Sequence, residues 1–380
     1  MTTRIHVLTA PRLTNAGYCF LWPLLRFRAA LGETGISIRL LYDLEAPGLA
    51  DCDILLIEAR ALGEMRNGHQ ARLLELVARL SEQTTVVWAD NYDSSGQVFA
   101  EILPIVHGYW KSQLLADPRM YGQPHYGGRI YTDYYHSRFG IEDDTAQAST
   151  PITDEALLRR LAVSWNMGLS DHSAGARWME YFYARLHLPL FMQAPAGFHP
   201  PAAPRPQQLS ARFGKNYARR TIAFQRARLL EALHGRIATN RISRTAFRRE
   251  LRSSRAVLSP YGWGEVCLRD FEIFLSGAAL IKPDMDHLRT WPNWYRQAET
   301  YYPIKWNMSD LDAVLESITT VPVLAQDIAR NGQMLYYQHT AGKQAAGSFS
   351  THLNQLIRSL SQDTQALQKQ PKPNTTETTA

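Results

Sequence analysis

An α/β fold of two Rossmann-like units facing across a cleft is what the sequence predicts, on three observations. Continuous apolar runs alternate with helix-periodic segments in the first third of the chain. The same alternation resumes after residue 208. A proline-rich stretch without periodicity, Ala194–Gln208 (APAGFHPPAAPRPQQ), separates the two. Short apolar runs suit strands buried on both faces of a parallel sheet, and alternation with helices gives Rossmann-like winding.

In order, Ile5–Thr9 reads as a first strand, Trp22–Leu31 as a helix and Ser37–Tyr42 as a second strand. Asp53–Glu58 and Thr84–Ala89 are buried strands flanking a helix at His69–Leu80, whose apolar residues recur at helical spacing. Tyr121–Tyr135, rich in Gly, Tyr and His, reads as loop or short strand, and Asp154–Leu161 and Ala174–Leu186 as helices. Trp178, Tyr181, Phe182 and Leu186 form a stripe on the last of these, and core packing is the expectation for it, with a membrane foot as the alternative. In the second unit, strands are expected at Leu209–Phe213, Gly235–Thr239, Ala256–Ser259 and Ala279–Lys282. Helices are expected at Ala218–Leu233, Ser243–Arg252, Leu268–Ser276, Leu311–Thr319 and Val323–Tyr337. The organisation is thus a first unit over 1–193, a linker over 194–208, a second unit over 209–345, a closing helix over 346–360 and a polar, disordered tail over 361–380.

With 380 residues, the chain has length for two ordinary cores. Its three cysteines, Cys19, Cys52 and Cys267, are widely spaced and odd in number, which argues against a disulfide framework or zinc site and fits a reducing cytoplasm. No signal peptide and no run of roughly 18 apolar residues is seen, so a cytoplasmic protein, at most peripheral to a membrane, is expected. The net charge of +6 is uneven: residues 212–255 hold thirteen Arg or Lys against two acids, Glu231 and Glu250. Such an excess attracts phosphate, anionic lipid or nucleic acid, although solvated helix faces account for many such arginines.

The chemistry concentrates in Ser259–Asp284, SPYGWGEVCLRDFEIFLSGAALIKPD. A strand leads into the loop Tyr261-Gly262-Trp263-Gly264-Glu265, then a helix closed by Gly277, then a short apolar strand. A strand–glycine loop–helix unit offers backbone N–H groups and a helix N-terminus to phosphate. Glu265 and Glu272, seven apart, are expected on one helix face with Arg269 between them. A carboxylate accepts from ribose hydroxyls, and an arginine fork grips a diphosphate.

This stretch resembles the donor-binding segment of GT-B glycosyltransferases, and more closely a bacterial family-1-like group carrying an SPFGWGE…RDFE…G…IKPD signature. Glu272 and Gly277 match the ribose-binding glutamate and the glycine five residues on. The glutamates stand seven apart where the best-known retaining pattern has eight, so the segment assigns no stereochemical outcome. In LSARFGKNY, Arg212 and Lys215 resemble the pair that clamps the donor diphosphate, at a shorter spacing than the commonest form. The resemblance implies a GT-B fold, Tyr261, Gly262, Trp263, Gly264, Arg212, Lys215, Arg269 and Glu272 as donor-binding residues, and Glu265 as a catalytic candidate. It also implies a nucleotide-sugar donor and a glycan or glycolipid acceptor of bacterial surface polysaccharide synthesis; the basic helices, apart from the resemblance, suggest peripheral contact with an anionic membrane. No cofactor beyond the sugar nucleotide and no metal are expected: Asp51-Cys52-Asp53 matches the letters of a DxD triplet but leads into a buried strand.

On the acceptor side an inverting enzyme needs a base. Asp93, in the segment after Thr84–Ala89, is the catalytic candidate, with a turn or helix N-cap as its ordinary role; Asp90, His107, Asp133 and His136 are weaker. Three rivals stand against transfer. A nucleic-acid-binding protein would use the basic block, but no motif spacing supports it and no nucleic acid is expected. A dinucleotide oxidoreductase would need GxGxxG after the first strand, where the chain reads APRLTNAG. A catalytically inactive sugar-nucleotide-binding relative would share every feature above.

Overall fold

The computed structural model describes residues 2–11 and 15–368. The first unit contains β1 (Thr3–Leu8), α1 (Asn15–Arg26), α2 (Arg28–Glu33), β2 (Ile36–Leu41), β3 (Ile54–Glu58), α3 (Gly63–Gly68), α4 (Gln70–Ser81) and β4 (Thr85–Asp90). It continues with β5 (Gly108–Lys111), β6 (Gln113–Leu115), α5 (Ile130–Phe139), α6 (Glu155–Leu158), β7 (Leu161–Val163) and α7 (Ala176–Leu186). Six strands form one parallel sheet in the order β2-β1-β3-β4-β5-β7, the doubly wound pattern in which ligands sit beyond the carboxyl ends of the strands.

The second unit contains β8 (Gln207–Ser210), α8 (Arg220–Ala232), α9 (Arg244–Ser253), β9 (Ser254–Leu258), α10 (Leu268–Ser276), β10 (Ala279–Pro283), β11 (Leu288–Thr290), β12 (Tyr301–Ile304), α11 (Leu311–Thr320), α12 (Pro322–Thr340) and α13 (Ala345–Gln368). Its parallel sheet runs β12-β10-β9-β8. The fold is therefore the expected α/β class, two parallel Rossmann-like sheets facing each other.

The differences are local. The first helix begins at Asn15 and breaks at Phe27. Tyr131–His136 lies on α5 rather than in a loop, and no helix follows Asp93. Gly235–Thr239 is a turn, because Gly235 adopts φ +75° and the stretch pairs with no strand. The closing helix starts at Ala345 and continues to Gln368, eight residues into the expected tail; residues 369–380 lie outside the described ones.

The units are joined by more than a linker. β6 pairs antiparallel with β11, placing Leu115 opposite Leu288. One continuous core runs from Trp22 and Trp165 of the first unit to Phe271, Trp294 and Tyr336 of the second. Gly168 is needed there, since a Cβ would lie 2.5 Å from the Phe271 ring. The proline-rich stretch is itself packed down: His199 N–H donates to Leu275 O, and Arg205 donates to the carbonyls of Leu251, Arg252, Ser254 and Ser276. α13 returns to the first sheet, where Ser350 bonds Thr34 and Leu360 packs over Gly108.

Candidate functional site

The segment leaving β9 is ordered by one buried carboxylate. Asp270 accepts from Ser259 Oγ (2.6 Å), Tyr295 OH (2.7 Å) and the Cys267 N–H (3.1 Å), and pairs with Lys282 Nζ at 3.0 Å, with neither charged group exposed. Asp270 is the third residue of α10 and takes the N–H of the residue that caps it, so the pair pins the helix start as a capping box does. Gly277 closes α10 at φ +68°, where a Cβ would meet His199 O at 2.3 Å. Much of the RDFE…IKPD pattern is therefore structural.

The glycine loop lies in the seam between the units. Tyr261 is fully buried; its N–H donates to Gln225 Oε1 and its carbonyl accepts from Arg226 Nε. Gly262 N–H donates to Gly264 O, and Gly262 O accepts from Tyr131 OH. At Gly264 a Cβ would stand 2.4 Å from Asp93 O. The Tyr261 and Gly262 N–H groups are thus already engaged, and the loop is packed shut rather than left as an open phosphate cradle. Trp263 alone turns outward, 46% exposed, beside Tyr217 and the Arg219 guanidinium.

The two motif glutamates do not share a helix face. α10 begins at Leu268, three residues after Glu265. Glu265 points into the seam and accepts from Ser95 Oγ at 2.5 Å, with His287 Nε2 3.8 Å away. Burial pushes its carboxyl up, but His287 and Ser95 outweigh this and hold it below the usual range. Arg269 is half-buried near the helix start, and its Nε has no hydrogen-bond partner among the described residues.

Glu272 instead reaches a cavity of about 490 Å³ between the units. Arg248 and Arg252 of α9 share its wall, and Arg244 NH2 lies 3.5 Å from Glu272 Oε1. Residues 244, 248 and 252 recur every four positions, so one face of α9 carries all three cations. The first unit supplies Asp171, His172 and Ser173 to the same cavity. Asp171 accepts from Ser173 N–H (2.7 Å) and Oγ (3.0 Å); burial, only partly offset by these bonds, raises its pKa. His172 is stacked on Phe271 and bonded through Nε2 to Met167 O, and burial pushes its pKa down to about 4.

The remaining sequence candidates are dispersed. Arg212 is occupied by a two-pronged pair with Glu250 (Nε–Oε1 2.9 Å, NH2–Oε2 2.9 Å) and by Asn240. Lys215 is exposed on the following loop. Asp93 pairs with Arg60 at 3.5 Å beside a narrow crevice of about 20 Å³ that also touches Gln113 and Val266. Asp90 is buried on Lys111 (2.7 Å) and Tyr109 (2.6 Å). His107 Nδ1 accepts from Val86 N–H, with its pKa lowered by burial. Asp133 accepts from Tyr126 N–H, and His136 stacks on Tyr126. Asp51 and Asp53 both face Arg4. The basic block is likewise divided: Arg226 is buried on Tyr261 O, Arg219 donates to Gly127 O and Arg236 pairs with Asp312.

Two groups escaped the sequence reading. Glu58, at the end of β3, is buried with Thr9 and Asn91 donating to it, and burial raises its pKa. The Asp171-His172-Ser173 run sits in an aperiodic stretch with no motif around it. The four-residue spacing of Arg244, Arg248 and Arg252 was readable, but was submerged in the wider basic block.

No protein-family model matches the sequence, and no curated protein matches it. Similar solved structures include the Anabaena protein HepE in complex with UDP and glucose, at 9% identity and TM-score 0.42, covering 94% of this chain and 100% of that one. An alpha-glucosyltransferase in complex with UDP-glucose and DNA containing an abasic site matches at 10% identity and TM-score 0.40, covering 94% and 100%. Sucrose-phosphate synthase from Thermosynechococcus elongatus matches at 12% identity and TM-score 0.41, covering 95% and 99%.

Proposed function

We propose that the chain transfers a glycosyl group from a nucleotide-sugar donor to a glycan or lipid-linked acceptor, with the donor in the cavity between the two units. The observation that carries this is the place of Glu272. Of the residues in the donor-like segment, it lines a cavity wide enough for a ligand, opposite polar groups of the other unit. Its carboxylate accepts from ribose hydroxyls. Arg244, Arg248 and Arg252 face the diphosphate and offset the charge that grows on the leaving group. Asp171 takes the acceptor proton as the bond from the anomeric carbon to the diphosphate breaks and the new glycosidic bond forms. Because these arginines supply the positive charge, transfer is expected to persist in a chelator. Arg212 and the glycine loop order the second unit, and Glu265 holds the seam.

The test is thermal denaturation with a panel of nucleoside diphosphates. One of them is expected to raise the melting temperature, as any ligand of the native state does. Glu272→Gln and Arg248→Ala are each expected to abolish that rise without lowering the melting point of the free protein. Absence of a rise with every nucleotide, or a rise unchanged in both variants, would overturn the proposal.

A further inference from the structure

The stripe on α7 that core packing would have hidden lies on the surface. Trp178 is 65% exposed, Leu186 54% and Leu190 59%, and Tyr181, Phe182 and Leu188 accompany them. The rings pack on one another, Tyr181 on Phe182 at 5.7 Å and Phe182 on Phe191 at 5.6 Å between centroids, and of these only Phe191 packs against the core among the described residues. The helix is nevertheless fixed. Tyr183 on its inner face is fully buried against Tyr18, Tyr18 OH donates to Phe191 O and Trp22 Nε1 donates to Gln193 O. The apolar face is thus held outward, and a contiguous exposed patch of this kind marks an interaction surface.

We propose that α7 and the turn after it dock the protein on an anionic phospholipid bilayer. Charge decides the occupant. The exposed charged side chains between Ala176 and Gln193 are Arg177 and Arg185. Glu180, the one acid of the stretch, is half-buried and accepts from Asn15 Nδ2. Trp, Tyr, Phe and Leu fringed by arginine is the composition of a helix lying in the plane of a membrane interface. Long arginine stems can lie along the aromatics while their heads reach phosphate, as Arg185 already lies over Tyr181 at 4.7 Å. The docked face also adjoins the cavity, because Met179 of α7 and Gly175 just before it line the cavity wall. A bilayer under α7 would lie about one helix diameter, roughly 10 Å, from that wall. The docking goes beyond the glycosyltransferase reading and stands without it; only its use, presenting a lipid-linked acceptor, rests on that reading.

The experiment is co-sedimentation of the full chain with phosphatidylcholine vesicles, with and without phosphatidylglycerol, at low and high salt. Binding is expected to the anionic vesicles and to weaken with salt. Trp178→Ser/Leu190→Ser is expected to weaken it about tenfold or more, since large apolar side chains lose their burial. Arg177→Gln/Arg185→Gln is expected to remove the preference for anionic lipid. Both variants alter exposed side chains, so an unchanged melting temperature is the control. Binding to neither vesicle, equal binding to both, or equal binding by the Ser variant would overturn the proposal. So would self-association in sedimentation velocity, abolished by the Ser variant, without vesicle binding. Nucleotide-induced stabilisation is a separate readout, so failure of the donor reading leaves this result interpretable.

Discussion

Asp270 and Asp171 are both buried aspartates, yet their surroundings give them different work. Asp270 is closed in by a lysine, two hydroxyls and a backbone N–H, whereas Asp171 has, among the described residues, only Ser173 as a hydrogen-bond donor and faces a cavity. Burial raises the pKa of Asp171 at the cavity wall, whereas Asp93 is paired with Arg60 beside a crevice too narrow for a sugar, so Asp171 is the better placed of the two to take the acceptor proton. If Asp171 takes the acceptor proton, kcat/KM falls as pH drops through a pKa above the ordinary aspartate value and is level above it. Asp171→Asn should lose about 100- to 10,000-fold in kcat while nucleotide binding and melting temperature hold; a pH profile unchanged by that variant would count against the role. Histidine titration gives a second residue-scale expectation. His172 has a folded pKa near 4 against an unfolded value near 6.5. The unfolded state therefore binds the proton more tightly, and stability is lost as pH falls from about 6.5 to 4, by up to about 3 kcal/mol for this ring. Urea melts across that window should show the loss, which His339 and His352, also lowered to about 4 by burial, share, and His172→Gln should reduce it by its own part. The place of Glu272 on α10 and the closing Gly277 were legible because glutamate and a capping glycine five residues on are local. Glu265 was misread because three residues of loop precede α10, and Ser95, its partner, lies 170 positions away.

At the scale of elements, the parallel strands could be read wherever the chain writes unbroken apolar runs, as in β3 and β4. Strands of three or four residues such as β5 and β7 could not, because GYWK and LAV carry no period and are defined by their neighbours. Gly235–Thr239 failed in the opposite sense, since one isoleucine between glycine and polar residues cannot hold a strand in place. The unit β9–α10–β10 was read almost to the residue, although three of its conspicuous charges, Glu265, Asp270 and Lys282, hold the segment together. This gives a prediction for the Asp270–Lys282 pair. Lys282→Met leaves a buried carboxylate without its cation and should cost about 3–5 kcal/mol in denaturant unfolding, whereas Asp270→Asn/Lys282→Met should recover much of that loss. Equal destabilisation by the single and double variants would show that the hydrogen bonds of Asp270, rather than its charge pairing, govern the element.

At the scale of the molecule, two units and a boundary near residue 200 could be inferred from sequence, but not how firmly the units are joined. Pairing of β6 with β11, which sets Leu115 opposite Leu288 far along the chain, leaves no local trace, and a proline-rich stretch does not reveal that Arg205 will gather the carbonyls ending α9 and α10. Domains linked through a small polar contact move and unfold separately, whereas a large apolar interface couples them. Here the core is continuous across the boundary through Trp165, Phe271, Trp294 and Tyr336, and is bolted by Trp294 Nε1 on Asn166 Oδ1 and Tyr336 OH on Ser170 O. The chain should therefore melt in one cooperative calorimetric transition, with the van't Hoff enthalpy equal to the calorimetric one. Gly168→Leu tests the cause. Even a Cβ at this position would press into Phe271 and Trp294, so the larger side chain should force the units apart at their apolar contact while leaving each sheet intact. Two resolved transitions are expected in that variant, the first well below the single transition of the parent. Two transitions already present in the parent, or one unshifted transition in Gly168→Leu, would mean that the shared core does not couple the units and that the cavity beside Glu272 can open without melting it.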